Sequence, residues 1–187
     1  MHDIAEYLHP FLEAVAAGAV DVYNEFSLQH ELGIHLRSRH PNWLVQFERN
    51  VSYFGGSAKN FKKREIDLTL FTQNPKTLHY AVELKYPRNG QVPEQMFSFC
   101  KDIQFAEELV SHGFQSAALL TLAEDPLFYR GPGEGIYAYF RGAKPLTGRV
   151  VKPTGAKDDE VNILGSYAIK WIPLRDELQY FLVVVQR

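Results

Sequence analysis

The residues of this chain best suited to chemistry are Asp67 and the tripeptide Glu83-Leu84-Lys85, about fifteen residues further on. Side chains alternate along a β-strand, so Glu83 and Lys85 share one face and Leu84 takes the other. Two carboxylates held side by side in an apolar sheet repel each other unless a cation joins them. Carboxylate oxygens favour the hard cations Mg²⁺ or Mn²⁺. Asp67 and Glu83 are therefore predicted to bind such an ion, with the backbone carbonyl of Leu84 as a further ligand.

Lys85 adds a positive charge beside the predicted metal ion. An ammonium group there can orient an attacking water and stabilise the charge that develops on a phosphate. A metal ion at such a site polarises the phosphoryl oxygen and activates the water. Together these groups predict phosphodiester hydrolysis. The alternative is an exposed Glu–Lys pair on a solvated sheet face, worth less than about 1 kcal/mol. The apolar residues around the pair favour a central strand instead.

Two predicted strands must bring these side chains together. Residues 64–71 and 78–86 have the composition and alternation of strands, and a turn at residues 73–75 joins them. Strands joined by so short a connection pair as a hairpin. We therefore expect Asp67 to lie beside Glu83.

This hairpin is predicted to lie in the middle of a larger core. Helical spacing and helix-ending residues predict helices at residues 24–39 and 93–112. Strands are predicted at residues 44–51 and 116–123, the second of them apolar enough to be buried on both faces. The element order from residue 24 to residue 123 is thus αβββαβ. It predicts an α/β fold with a central mixed sheet flanked by helices.

The length and composition favour one domain over residues 1–187. The chain has 187 residues, 45% of them hydrophobic, and contains no repeat, low-complexity tract or linker. A helix is predicted before the core and an extension after it. The extension, rich at first in Gly, Pro and charge, is predicted to be irregular and then to end in a β-hairpin add-on. The helix comprises residues 3–18, the core residues 24–123 and the extension residues 124–187. The two strands of the hairpin are residues 166–174 and 178–186.

The spacing and the element order resemble those of the PD-(D/E)xK nuclease superfamily, whose core is called restriction-endonuclease-like or Holliday-junction-resolvase-like. By that resemblance Asp67 matches the first acid, Glu83 the second and Lys85 the lysine. It implies that the acidic pair binds Mg²⁺ and that the lysine assists hydrolysis. The residue before Asp67 is Ile66, where the family name has proline.

Two further catalytic residues are implied by the resemblance alone. Family members often carry an acid on the helix before the sheet, which Glu31 matches best. Some branches have Gln-x-x-x-Tyr on the helix after the lysine, and Gln95 with Phe99 gives Gln-x-x-x-Phe. The alternatives are that Glu31 is an ordinary polar helix position and that Gln95 is a capping or surface residue.

Charged residues in the middle of the helix at 93–112 predict a solvated helix face. They are Asp102, beside Lys101, and the pair Glu107-Glu108. A supporting role for Asp102 or Gln104 at the predicted active site is the alternative.

A basic cluster before Asp67 is predicted to bind nucleic acid, and its members are Lys59, Lys62, Lys63 and Arg64. Lysine and arginine contacts to phosphates would make binding salt-dependent. The alternative is a solvated loop, and the net charge of −2 does not by itself indicate a nucleic-acid protein.

The expected substrate is DNA. By analogy with restriction and junction-cleaving enzymes, the protein could act as a homodimer or with partner subunits.

Several classes of protein are excluded or disfavoured by the sequence. The single cysteine, Cys100, cannot form an internal disulfide, and the histidines lack zinc-ligand spacing. No signal peptide or membrane helix is predicted, so we expect a cytoplasmic protein without membrane partners. The remaining functional alternative is an inactive nuclease-fold module that binds nucleic acid or a protein partner.

Overall fold

A mixed β-sheet with helices packed on it forms the centre of the fold. The computed structural model describes residues 3–55, 61–73, 76–88, 90–155 and 159–187. The helices are α1 (Ile4–Ala16), α2 (Glu25–Arg39), α3 (Val92–His112) and the short α4 (Tyr137–Phe140). The strands are β1 (Leu44–Asn50), β2 (Glu65–Gln73), β3 (Lys76–Lys85), β4 (Ser116–Ala123), β5 (Leu146–Val151), β6 (Glu160–Tyr167), β7 (Ile172–Arg175) and β8 (Leu178–Gln186).

Six strands hydrogen-bond in the order β1-β2-β3-β4-β8-β7. The first three form an antiparallel meander, β3 and β4 run parallel, and β8 pairs antiparallel with both β4 and β7. Because a parallel pair needs a long crossover, α3 connects β3 to β4. The predicted α/β fold is confirmed, with its central mixed sheet, its flanking helices, its αβββαβ order from α2 to β4 and its C-terminal hairpin.

The extension contains a second, two-stranded sheet that the sequence did not predict. β5 lies within the segment predicted to be irregular, and it pairs antiparallel with β6. Its register shifts between Leu146 and Gly148, and Gly148 has a φ of 70°, so an irregularity interrupts the alternation. The first strand of the predicted terminal hairpin is also shorter than expected, because Tyr167 ends β6 and β7 begins only at Ile172.

A capping box fixes the start of α2. The side chain of Asn24 accepts a hydrogen bond from the backbone N–H of Ser27 at 2.8 Å, and Oγ of Ser27 accepts one from the N–H of Asn24 at 3.1 Å. The helix therefore begins at Glu25. Residues four apart share a helix face, so Glu25 and Gln29 lie on the same side of its first turns.

The two faces of the sheet bury separate cores. α1 and α2 cover one face, where Leu32 packs in the same cluster as Val82 and Leu84. α3 covers the other face, where Phe105 packs with Ala81 of β3. β4 is buried throughout, as its apolar sequence predicts. Because side chains two apart share a strand face, Glu83 follows Ala81 on the side of the sheet that α3 covers.

Glu107 of α3 is a buried hydrogen-bond acceptor for β6. Its carboxylate, 6% exposed, accepts from the backbone N–H groups of Leu164 at 2.9 Å and Gly165 at 2.7 Å, and from the hydroxyl of Tyr167 at 2.9 Å. The predicted solvated face of α3 is therefore wrong for Glu107. The helix is covered there by β6. The N–H groups of Leu164 and Gly165 in this strand donate to Glu107 and not to a neighbouring strand.

We expect Glu107→Ala to lower the free energy of unfolding by about 2–3 kcal/mol, since charge-assisted hydrogen bonds are lost and backbone donors are left unpaired. Urea denaturation followed by circular dichroism measures the change. Glu13→Ala, at an exposed position of α1, is the matched control and should change stability by less than about 0.5 kcal/mol. Equal stability of the two variants would contradict the assigned role of Glu107.

Candidate active site

The candidate site lies where β2 and β3 part. Their backbone pairing ends with Leu68 opposite Val82. Beyond that point, side-chain carboxylates accept the hydrogen bonds that backbone carbonyls accept in the regular sheet. The N–H of Leu84 donates to Oδ2 of Asp67 at 2.8 Å, and the N–H of Asp67 donates to Oε1 of Glu83 at 3.3 Å. The structure thus brings Asp67 beside Glu83, as the hairpin predicted. Each carboxylate thus accepts a hydrogen bond from a backbone N–H of the neighbouring strand.

The other edge of β2 is also opened at Asp67. The β1 pairing places Phe47 opposite Leu68 and Arg49 opposite Ile66, and between them Glu48 has a φ of 48°. A left-handed residue there removes the ladder partner of Asp67. Nε2 of Gln29 on α2 takes its place, donating to the carbonyl of Asp67 at 2.8 Å and to Oε1 of Glu48 at 2.7 Å.

A third carboxylate, from Asp102 of α3, completes a carboxylate cluster with Asp67 and Glu83. Asp102 is 2% exposed and Glu83 is 1% exposed. At their centre lies the ammonium group of Lys63, which contacts Oε2 of Glu83 and lies 2.9 Å from Oδ1 of Asp102 and 3.9 Å from Oδ1 of Asp67. The predicted solvated face of α3 is wrong for Asp102 as well. Here α3 packs over the charged face of β3.

Lys85 lies at the edge of the carboxylate cluster. Its Nζ donates to the carbonyl of Leu84 at 2.8 Å and lies 3.7 Å from Oδ2 of Asp102 and 3.9 Å from Oδ2 of Asp67. Oε1 of Glu25, in the first turn of α2, lies 3.6 Å away. Oε2 of Glu25 accepts from the N–H of Tyr86 at 3.3 Å. The structure therefore brings Asp67, Glu83 and Lys85 together. The carbonyl of Leu84, which was predicted to bind the metal ion, accepts a hydrogen bond from Lys85.

Burial and charge act against each other in the site. Burial, helped by the Asp67 carboxylate, raises the pKa of Glu83 to about 8 against the opposing effect of Lys63. Burial also raises the pKa of Asp102, although Lys85 and Lys63 oppose it. Burial lowers the pKa of each lysine, but the surrounding carboxylates outweigh it, and the pKa values of Lys63 and Lys85 are raised. Both lysines thus remain cations, whereas burial favours the protonated form of Glu83 and of Asp102 even with these cations beside them.

The two catalytic residues implied by the resemblance alone do not join this site. Oε1 of Glu31 lies 3.1 Å from Nδ1 of His30, and the acid of α2 that reaches Lys85 is Glu25. Gln95 is half-buried near the start of α3, and its side chain makes no hydrogen bond with the described residues. For Glu31 the cause is helix phase, because Glu25 and Gln29 occupy the face of α2 that meets the site.

The predicted basic cluster is divided by the structure. Lys63 is drawn into the carboxylate cluster, and Nζ of Lys62 pairs with Oδ1 of Asp159 at 3.2 Å. Arg64 is exposed at the start of β2. Lys59 lies outside the described residues. Of the described members, Lys62 and Arg64 are exposed.

Sequence reasoning missed Glu25 and Gln29 as site residues and assigned Lys63 to nucleic-acid binding. For Asp102 it favoured a solvated helix face, with a supporting role at the site as the alternative. A weak pattern did point to Asp102. It lies three residues after Phe99 and four before Ala106, both fully or almost fully buried, which is helical spacing for one apolar face. A carboxylate on an apolar helix face needs a buried cationic partner, and both Lys63 and Lys85 meet it here.

The donor set suits a hard divalent cation in its chemistry. The carboxylate cluster offers oxygen ligands, which Mg²⁺ and Mn²⁺ prefer. Oδ2 of Asp102 is buried and lacks a hydrogen-bond partner. The carboxylates of the cluster, however, surround Lys63. Among the described residues, no group of three or more His, Cys, Asp or Glu side chains could hold a metal ion as placed. The cluster therefore matches a divalent cation in donor type and charge, but as placed it holds the ammonium group of Lys63.

Comparisons of the chain with models of protein families, with curated proteins and with solved structures found no match. In the described part of the chain, no helix combines the length and apolar character needed to cross a membrane.

Proposed function

We propose that this protein is a metal-dependent nuclease that hydrolyses phosphodiester bonds in DNA, with Asp67, Glu83 and Lys85 as its catalytic residues. The observation that carries the proposal is the convergence of these groups where two central strands part. Oδ2 of Asp67 lies 3.9 Å from Nζ of Lys85, and Oε1 of Glu83 accepts from the N–H of Asp67. Burying so many charges costs free energy, and such costs concentrate at functional sites.

Asp67, Glu83 and Asp102 would hold the metal ion through carboxylate oxygens. When bound, Mg²⁺ or Mn²⁺ supplies polarisation of a phosphoryl oxygen and a water of lowered pKa. Lys85 supplies a fixed positive charge for the phosphate oxygens, which gain charge during hydrolysis. Its ammonium is held by the Leu84 carbonyl at 2.8 Å and by Glu25 at 3.6 Å, so it is oriented before a substrate arrives.

Arg64 is a candidate for contact with the substrate backbone. It is exposed and lies three residues before Asp67. Its guanidinium can bind a phosphate without reading base sequence. Lys62, which pairs with Asp159, contributes less to this surface.

The direct test is cleavage of single-stranded, duplex and branched DNA, each with excess Mg²⁺ and with EDTA. We expect cleavage of at least one substrate with Mg²⁺ and none with EDTA, since the water and phosphate need the cation. The same panel with RNA checks the choice of DNA. Cleavage that is unaffected by EDTA would overturn the metal-dependent mechanism.

A second function, an inactive nuclease-fold module, is favoured by one observation. The ammonium of Lys63 neutralises part of the carboxylate cluster without a metal ion. A module of this kind would bind DNA or a protein partner and leave DNA intact. Binding of labelled DNA with no cleavage under Mg²⁺ or Mn²⁺, together with no metal binding at millimolar concentration, would support it over the nuclease.

A further inference from the structure

Lys63 fills the centre of the carboxylate cluster. Its Nζ contacts Glu83 and lies 2.9 Å from Oδ1 of Asp102 and 3.9 Å from Oδ1 of Asp67. The three carboxylates come from β3, α3 and β2, and Lys63 comes from the segment that leads into β2. One ammonium group is therefore the common partner of three acids from three separate elements.

A divalent cation would need the oxygens that this ammonium group uses. Mg²⁺ binds carboxylate oxygens at about 2.1 Å, and two cations among the same three carboxylates would repel each other. Oδ2 of Asp102 meanwhile remains buried without a hydrogen bond, with Nζ of Lys85 3.7 Å away. A cation of higher charge would compensate this oxygen better than the ammonium group does.

We propose that Lys63 is a built-in counter-ion that occupies the divalent-cation site of the metal-free protein and leaves it when Asp67, Glu83 and Asp102 take up Mg²⁺ or Mn²⁺. This role presupposes the metal site of the proposed function and specifies how that site is filled. The exit is open, because the side chain of Lys63 is 28% exposed and its backbone lies outside helix and strand. Once outside, its ammonium is available to a phosphate of the nucleic-acid strand.

Metal ion and nucleic acid then bind cooperatively. A phosphate that holds the ammonium of Lys63 outside the carboxylate cluster removes the competitor of the metal ion. A metal ion that fills the cluster likewise releases the ammonium for the phosphate. Each ligand must raise the affinity for the other by the same factor. Lys63→Gln removes the competitor and the coupling together.

The test is a titration with Mn²⁺ in which free Mn²⁺ is measured by electron paramagnetic resonance. We expect Lys63→Gln to bind Mn²⁺ at least about tenfold more tightly than wild type, because one competing charge has gone from a buried cluster. A phosphorothioate oligonucleotide should tighten Mn²⁺ binding by wild type and leave the variant within about twofold. Lys170→Gln, at an exposed lysine before β7, is the control and should match wild type. Equal or weaker Mn²⁺ binding by folded Lys63→Gln overturns the counter-ion role.

A measurement on the wild-type chain covers the case in which Lys63→Gln does not fold. Reductive methylation with mass spectrometry reports the access of each lysine, with exposed Lys170 as the internal reference. Mn²⁺ should raise the labelling of Lys63 several-fold relative to Lys170, and unchanged labelling overturns the displacement. Neither measurement uses cleavage. Displacement without cleavage of any substrate would leave this inference standing and defeat the nuclease, whereas cleavage without displacement would do the reverse.

Discussion

Asp67→Asn is expected to reduce metal-dependent cleavage by about a thousandfold or more, since it removes one metal-binding charge and with it several kcal/mol of transition-state stabilisation. Asparagine has nearly the same shape as aspartate, and its carbonyl oxygen can still accept from the N–H of Leu84, a bond of 2.8 Å in the structure. The fold should therefore survive while the charge is lost. The measurement is the single-turnover rate on the best substrate of the DNA panel, with Mg²⁺ in excess.

The matched control for Asp67→Asn is Asp176→Asn. Asp176 is exposed in the turn between β7 and β8 and has a φ of 48°, a conformation that asparagine tolerates well. Its activity should equal that of wild type within about twofold. Thermal unfolding of both variants checks that any loss of activity is not loss of fold. More than a tenth of wild-type activity in well-folded Asp67→Asn would show that Asp67 is not part of the catalytic site.

Lys85→Met is expected to slow cleavage by about a hundredfold to a thousandfold, because it removes a preorganised positive charge aimed at the phosphate. Methionine keeps an unbranched, mostly apolar chain, so the packing of the lysine stem is largely preserved. Mn²⁺ affinity should stay the same or increase, since a cation that lies 3.7 Å from Asp102 and 3.9 Å from Asp67 has been removed. The measurements are the single-turnover rate at saturating metal and the Mn²⁺ dissociation constant.

The division between rate and metal affinity separates a catalytic role of Lys85 from a structural one. A residue that merely held the carboxylates in place would, when lost, weaken Mn²⁺ binding together with the rate. Lys170→Met, at an exposed lysine before β7, controls for the change of residue type. If Lys85→Met cleaves at the wild-type rate with saturating metal, the charge on the phosphate is stabilised by another group, and Lys63 is the next candidate.

Local patterns were sufficient to predict the parts of the fold that local interactions determine. Alternation placed Glu83 and Lys85 on one face of β3, and the short connection to β2 placed Asp67 beside Glu83. The apolar run of β4 predicted its burial on both faces. In each case the residues involved lie close together in the chain or repeat with the period of one element, so their geometry follows from the element itself.

The rest of the candidate site depends on how separate elements pack, which no local pattern encodes. Whether Glu25 or Glu31 of α2 meets the site depends on the phase of the helix against the sheet, and the capping box sets only where the helix begins. Likewise, the position of Asp102 over Glu83 depends on the docking of α3. The path of the chain before β2 then decides whether Lys63 is a surface cation or a buried one.

Period-two alternation and one tight connection bring Asp67, Glu83 and Lys85 together, so this trio and the α/β order could be predicted from the sequence. Asp102 and Lys63 join the trio only through tertiary packing. Their contacts with β3 span long stretches of chain and form only when α3 and the segment before β2 pack against the sheet. Burial at that junction removes the water that would otherwise screen these charges, so each must be compensated by its neighbours.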